Sequence, residues 1–276
     1  MEAKIIRPFL RWAGGKQYLV NFLIKFTPTN YKEGTYFEPF FGAGSLFFAL
    51  GPQKAVLSDL NSHLIDCYKT TRDYPDTLYH YLLNHKKNNS TEYYYKEREK
   101  FNKYLDKRSI AQASRFIYLN RTCYNGIFRV NADGCYNVPF APKKRLVFPS
   151  LAELHQFSKL FKNAEIFACS YEEILPKVKR DDFVYLDPPY PPLNGTSYFT
   201  HYTKDRFSIT DQSNVHDFAE NLSKKGCKVL ISNADTPDTK KLYQHWRIFT
   251  VDVTRFISCK SKRDKVNELI ITNYEL

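Results

Sequence analysis

Residues 183–190 read Phe-Val-Tyr-Leu-Asp-Pro-Pro-Tyr, and these eight residues limit the possible folds more than any other stretch of the chain. Four consecutive apolar residues suit a strand buried on both faces. Pro188 and Pro189 then end any sheet or helix, because each lacks an N–H and has a fixed φ. Asp187 and Tyr190 are thereby held at the carboxyl end of a central strand, where open α/β sheets place their ligands. A carboxylate, a proline carbonyl and a ring on a stiff turn suit a flat heterocycle bearing an amino group. The two oxygens accept its N–H bonds and the ring stacks on its face. A buried strand ending in an ordinary surface turn fits the same residues, so the choice rests on the rest of the chain.

A second strand-and-turn supports the first. Tyr36-Phe-Glu-Pro-Phe-Phe-Gly-Ala-Gly-Ser45 is apolar, then turns through Gly42 and Gly44 into a helix expected from Ser45 to Leu50. Glycines there allow backbone N–H groups to approach a ligand closely. Ala55–Asp59 reads as a short strand ending in an acid, the position from which a carboxylate reaches a ribose hydroxyl pair. The spacing is shorter than in the dinucleotide fingerprint, and no third glycine follows. A nucleoside pocket with no pyrophosphate to cradle fits this pattern, and S-adenosylmethionine suits it better than NAD.

The charge balance points to a polyanion. The 276 residues carry a formal net charge of +12, and residues 86–145 hold 14 Lys/Arg against 5 Asp/Glu, +9 of that excess. Such concentration favours nucleic acid over mere solubility. The six cysteines show neither Cys-x-x-Cys pairing nor His partners at metal spacing, so no metal site is expected and the thiols read as reduced. No apolar run is long enough for a membrane span and no signal-peptide pattern opens the chain, so a cytoplasmic protein is expected. Nothing in the pattern calls for an obligate protein partner.

The order of elements gives the architecture. A helix is expected over Gln17–Phe26 and strands at about 36–39 and 55–59. Helices alone fill 61–120, including Thr91–Asp106 and Ser109–Leu119. A hairpin follows over 126–140 around an Asp-Gly turn. Strands then recur near 165–168, 183–187, 227–232, 246–253 and 266–273, with a helix over about 211–225. The last two strands lack an intervening helix and should pair antiparallel at the sheet edge. The expected fold is therefore α/β, a Rossmann-like sheet interrupted by a helical and hairpin insertion. Residues 1–60 and 160–276 form the catalytic domain, and 61–159 the inserted DNA-recognition domain.

Within the insertion, Tyr124-Asn-Gly-Ile-Phe-Arg129 sets flat, amide and guanidinium groups around a glycine. Arg129 can bond a guanine edge through two N–H groups in the major groove, and Tyr124 and Asn125 can fill the gap left by a displaced base. Lys143-Lys144-Arg145 suits phosphate contacts, which orient without reading sequence. An ordinary solvated strand arginine is the plainer alternative for Arg129.

Five motifs in one order now resemble the Dam-type DNA adenine-N6 methyltransferases. They are Trp12-Ala-Gly-Gly-Lys16, Phe37–Gly44, Leu119–Gly126, Asn137-Val-Pro-Phe140 and Asp187-Pro-Pro-Tyr190. The likeness extends to Leu230–Asn233, Phe199–Tyr202 and Arg255–Ser258. It implies that Trp12 and Lys16 contact S-adenosylmethionine, that Asp59 binds ribose, and that Arg11 and Arg129 read guanines of GATC in double-stranded DNA. It also implies that Tyr124 and Asn125 insert beside a flipped adenine, in DNA modification of the restriction-modification kind. Phe40, Gly42, Gly44, Ser170, Tyr171 and Asp187 complete the candidate cofactor site. Ile127, Pro139, Lys143 and Lys144 complete the DNA set, and Asp187, Pro188 and Tyr190 form the catalytic set. Two departures stand out: Ala141-Pro-Lys143 replaces the family's Gly-Arg-Tyr, whose tyrosine helps read the outer half-site, and Ile127 replaces a leucine. A different target sequence, cytosine N4 as acceptor, or a catalytically dead DNA-binding protein are the competing readings.

Overall fold

The computed structural model describes residues 6–143, 145–190, 208–254 and 265–276. Lys144, the Phe199–Tyr202 motif and the 255–258 tail lie outside these residues.

Among the described residues, seven strands form one sheet. They are β1 (Tyr36–Glu38), β2 (Ala55–Asp59), β3 (Ala164–Ala168), β4 (Phe183–Leu186), β5 (Lys228–Ala234), β6 (Arg247–Thr254) and β7 (Lys265–Thr272). Their order is β3-β2-β1-β4-β5-β7-β6. The first five run parallel, with Tyr36 opposite both Ala55 and Phe183, while β7 runs antiparallel between β5 and β6. The order reverses between β1 and β4, and their carboxyl ends mark the position where an open α/β sheet has its ligand crevice. The antiparallel pairing of the last two strands, expected from the missing helix, is present. The sheet is buried on both faces, so its strands alternate between two cores. Tyr36, Leu57, Phe183, Tyr185 and Ile270 face one, and Phe37, Val56, Val184, Leu186 and Ile271 the other.

The helices are α1 (Val20–Phe26), α2 (Ser45–Leu50), α3 (Ser62–Asp73), α4 (Pro75–Asn88), α5 (Thr91–Lys103), α6 (Ile110–Thr122), α7 (Leu151–Phe161), α8 (Ile209–Lys224) and α9 (Pro237–Leu242). The helix expected from Gln17 begins at Val20, and the one expected to reach Asp106 ends at Lys103. Helices α7 and α9 were not anticipated. An aromatic cluster of Phe41, Phe47, Phe48, Tyr68, Phe157 and Phe161 joins α2, α3 and α7, with Phe47 and Phe161 stacked at 5.4 Å. Helix α3 packs on β2 and β3, and α7 packs on α3 and α4, which ties the 61–159 insertion to the sheet. Among the described residues no helix is long and apolar enough to cross a membrane.

The expected hairpin is only partly a β-structure. The arms meet at the antiparallel bridge Val130–Tyr136, flanked by Asn131 N–H onto the Cys135 carbonyl at 2.9 Å and Asn137 N–H onto the Arg129 carbonyl at 3.1 Å, with a turn closed by Gly134 N–H onto the Asn131 carbonyl at 3.0 Å. The other edge of the second arm meets side chains of helix α5 where a further strand would lie. Asn102 both donates to the Tyr136 carbonyl (3.0 Å) and accepts from the Tyr136 N–H (2.8 Å). Tyr94 and Arg98 donate to the Val138 carbonyl at 2.9 and 3.2 Å. Side chains of α5 therefore satisfy groups that a neighbouring strand would otherwise take.

Candidate active site

The turn after β1 is built around Gly42. Its φ of +47° lies in the left-handed region, and a Cβ there would stand 3.0 Å from Trp12 Cδ1. Only glycine lets the indole and the turn pack this closely. Gly42 N–H donates to Asp59 Oδ2 at 2.9 Å, and Asn61 N–H donates to Asp59 Oδ1 at 2.8 Å. The turn after β1 and the acid after β2 are thus one unit. Burial raises the Asp59 pKa from its ordinary value, opposed by these two N–H bonds. Phe40, next in the turn, stacks on Tyr171 at 5.0 Å, linking the end of β1 to the end of β3. Ser170 caps the short 3₁₀ helix that holds Tyr171. Trp12, Phe40, Gly42, Asp59, Ser170 and Tyr171 are all brought together. Gly44 is the left-handed cap of α2.

The turn after β4 carries the charge. Lys16 is buried, and its Nζ lies 2.8 Å from Asp187 Oδ1, donates to the Gly14 carbonyl at 2.8 Å, and sits 4.3 Å from the Tyr190 ring centre. Ser232 Oγ, from β5, also donates to Asp187 Oδ1 at 2.7 Å, with the Tyr185 hydroxyl 2.9 Å behind it. Among the described residues both contacts fall on Oδ1. Burial pushes Asp187 above its ordinary pKa, Lys16 and Ser232 oppose that rise, and Glu268 adds to it. Gln212 donates to the Pro189 carbonyl at 2.7 Å and accepts from Asn233 at 3.0 Å, which braces the turn from α8 and β5.

Segment 12–16 spans the two turns, with Trp12 against Gly42 and Lys16 against Asp187. Arg11 extends the line toward the insertion. Asn120 grips its backbone both ways, accepting from the Arg11 N–H at 2.9 Å and donating to its carbonyl at 2.7 Å. The Arg11 side chain runs over Gly126 (φ +66°), where a Cβ would come within 2.5 Å of Arg11 Cδ. Tyr124 is 52% exposed, with its N–H on the Pro139 carbonyl at 2.9 Å. Asn125, at φ 54°, is also exposed, and Ile127 is half-buried. Arg129 is exposed and donates through Nε to Asn137 Oδ1 at 2.8 Å. Pro139 is exposed and Lys143 half-buried.

Residue-level reading missed Ser232, Asn233, Gln212, Glu268, Asn120 and Asn137 as members of this framework. Ser232, Asn233, Asn120 and Asn137 lay inside quoted motifs without an assigned task. Glu268 and Gln212 offered no local signal at all.

A family model described as D12 class N6 adenine-specific DNA methyltransferase matches residues 12–257. The chain is 39% identical over 274 residues to the Type II methyltransferase M1.LlaDCHI of Lactococcus lactis subsp. cremoris, covering 98% of this chain and 96% of that one. It is 38% identical over 287 residues to the Type II methyltransferase M.MjaIII of Methanocaldococcus jannaschii, covering 98% and 99%. It is 39% identical over 269 residues to a DNA adenine methylase of Salmonella typhi, covering 96% and 94%.

Proposed function

The chain belongs to the D12 class of N6 adenine-specific DNA methyltransferases, and we propose that it methylates the adenine of GATC with S-adenosylmethionine as donor. The enzyme class settles the acceptor as adenine N6 in DNA and sets aside cytosine N4. What carries the finer reading is one observation: segment 11–16 joins the Gly42 turn, the Asp187 turn and the loop that presents Arg129.

The residues present fit the donor. Gly42 lets the turn and the Trp12 indole pack closely, Asp59 stands at the strand end suited to a ribose, and Phe40 and Tyr171 form an apolar wall. Ser45 Oγ and Gln17 Oε1, beside the two turns, are buried without a hydrogen-bond partner among the described residues. Trp12, Lys16, Phe40, Gly42, Gly44, Asp59, Ser170, Tyr171 and Asp187 would hold the molecule. When bound, S-adenosylmethionine supplies an electrophilic methyl group.

The chain's own task is to hold the acceptor. The adenine leaves the duplex at a cost of about a few kcal/mol, which Tyr124 and Asn125 offset by filling the gap. Tyr190 stacks on the base while Asp187 Oδ2 and the Pro188 carbonyl accept the two N6–H bonds. Those bonds turn the nitrogen lone pair out of the ring plane and toward the incoming carbon. Positioning of two bound reactants then supplies much of the acceleration. N6 gains a carbon and afterwards loses a proton, so no side-chain nucleophile is needed. Arg11 and Arg129 read guanines, Ile127 and Pro139 shape the reading loop, and Lys143 and Lys144 contact phosphate. In this reading residues 61–159 serve as the DNA-recognition domain and 1–60 with 160–276 as the catalytic one.

The test is methylation of duplexes holding GATC and each single-base variant, at fixed salt. The adenine of GATC should be modified fastest, with leakage greatest at the outer positions, where Lys143 stands in place of a reading tyrosine. Preference for a site without GATC would overturn the specificity and leave the chemistry standing.

A further inference from the structure

We propose that Glu268 is a positioning residue that fixes the Tyr190 ring, with Tyr18 as its second anchor; the inference rests on Tyr190 being the platform for the target base. Glu268 is fully buried on β7, opposite Ala234 of β5 and Val251 of β6. A strand paired on both sides has its backbone fixed by both neighbours. The Tyr190 hydroxyl donates to Glu268 Oε2 at 3.0 Å, and the Tyr18 hydroxyl donates to Oε1.

A carboxylate taken out of water is costly unless its oxygens are bonded, so its presence in the sheet calls for a task. Its partners identify one. Tyr190 leaves a double-proline turn, which fixes the root of the side chain but not the rotation of the ring. Lys16 Nζ lies over the ring at 4.3 Å, and Glu268 holds the hydroxyl tip. Root, face and tip are then all constrained before any base arrives. The tip bond comes from residues remote in sequence, which is why the Asp-Pro-Pro-Tyr motif does not show it. Tyr18 lies just after Lys16, so the same carboxylate also ties the segment carrying Lys16 to the sheet.

The experiment is single-turnover methylation of a target duplex, with KM for donor and DNA measured alongside. Glu268→Met and Tyr190→Phe should each lower the rate by about 10- to 100-fold, the scale of a small misplacement of a reactant, with little change in either KM. Glu268→Gln, which still presents an oxygen, should recover most of the rate. The double variant Glu268→Met/Tyr190→Phe should be no slower than its slower parent. Wild-type turnover in Glu268→Met, or losses that multiply in the double variant, would overturn the proposal. If Glu268→Met does not fold, Tyr18→Phe combined with Tyr190→Phe gives the same reading, and multiplied losses there overturn it too. Tyr190→Ala separates the two ideas. A wild-type rate in that variant removes the platform itself, whereas a dead Tyr190→Ala beside a fully active Glu268→Met removes only the role of Glu268.

Discussion

The crevice at the strand ends and the loop proposed to face DNA are held in opposite ways. In the crevice, Lys16, Asp187, Ser232 and Tyr185 form one continuous set of bonds, with Lys16 4% exposed. In the loop, Tyr124, Asn125 and Arg129 lie open to solvent, and the backbone beneath them is what is fixed. Asn120 clamps Arg11 and the Gly126 carbonyl, while Asn102, Tyr94 and Arg98 clamp the second arm. The difference follows from the two tasks. Groups that act on developing charge work best when fixed in advance. Groups that read base edges must keep their outermost donors in water until a base replaces it, so only what lies behind those donors is held, as Asn137 holds the Arg129 Nε.

The strongest way to break this comparison is Asp187→Ala. Methyl transfer should fall by about 10²- to 10³-fold or more, the scale seen when one preorganised polar group is removed from an active site. Affinity for DNA should barely change, because phosphate contacts supply most of it. Single-turnover rates and filter-binding affinities, measured on the same variant, check both halves. A parallel fall in affinity would mean that the crevice and the loop are not separate.

The two regions should also answer pH with opposite sign. Burial raises the pKa values of Glu38, Asp59 and Asp187 in and around the crevice. Such acids bind protons more readily in the folded state, so through them stability falls as pH rises above the ordinary carboxylate range. His85 in the insertion behaves the other way. It is buried against Tyr118 at 4.8 Å, bonded to Tyr93 and Ser114, and burial pushes it from 6.5 down to about 4. A base lowered in this way binds fewer protons when folded, so stability is lost as pH drops from 6.5 toward 4. His85→Gln should be less stable than the parent at neutral pH. That deficit should shrink by about 2 kcal/mol on acidification to about pH 5, read from urea unfolding. A constant deficit would assign His85 to packing alone.

What was legible in the sequence also divides by region. The crevice shows itself because its turns are local: Pro188 and Pro189 end β4, and Gly42 bends the chain after β1. Strand runs there are short, apolar and bounded, and their order follows from them. The helix over Leu151–Phe161 went unseen although Ser150 and Glu153 form a complete capping box at its start. That signal was available. Glu268 was not: β7 is buried between two strands, so no alternation marks it, and an acid in a strand reads as solvent-facing. The hairpin is present around its Asp-Gly turn, a local signal, but the side chains of α5 that bond the other edge of its second arm are a non-local pairing that no turn signal reports.

A smaller and sharper effect is expected at Arg129. Its Nε–H is held by Asn137, which leaves the two terminal nitrogens to meet a base edge. Arg129→Ala should cost about 1–3 kcal/mol of discrimination between the target site and its variant at the contacted base pair. The ratio of methylation rates on the matched and mismatched duplexes measures it. Equal loss on every duplex would make Arg129 a phosphate anchor and remove it from the reading group.

The smallest effect should come from Lys143, and it tests the same division from the other side. Lys143 is half-buried just past the hairpin, close enough to Cys123 for its charge to lower that thiol's pKa against the burial that raises it. A lysine is a point charge with no planar fork to match a base edge, so its proposed contribution is sequence-blind attraction to phosphate. Lys143→Ala should therefore weaken binding to all duplexes alike and reduce the dependence of log affinity on log salt by about one. Its ratio of matched to mismatched rates should equal the parent's. A change in that ratio, confined to the outer base pairs, would instead show that Lys143 has taken over the work of the tyrosine it replaces, and the reading surface would then extend beyond the hairpin.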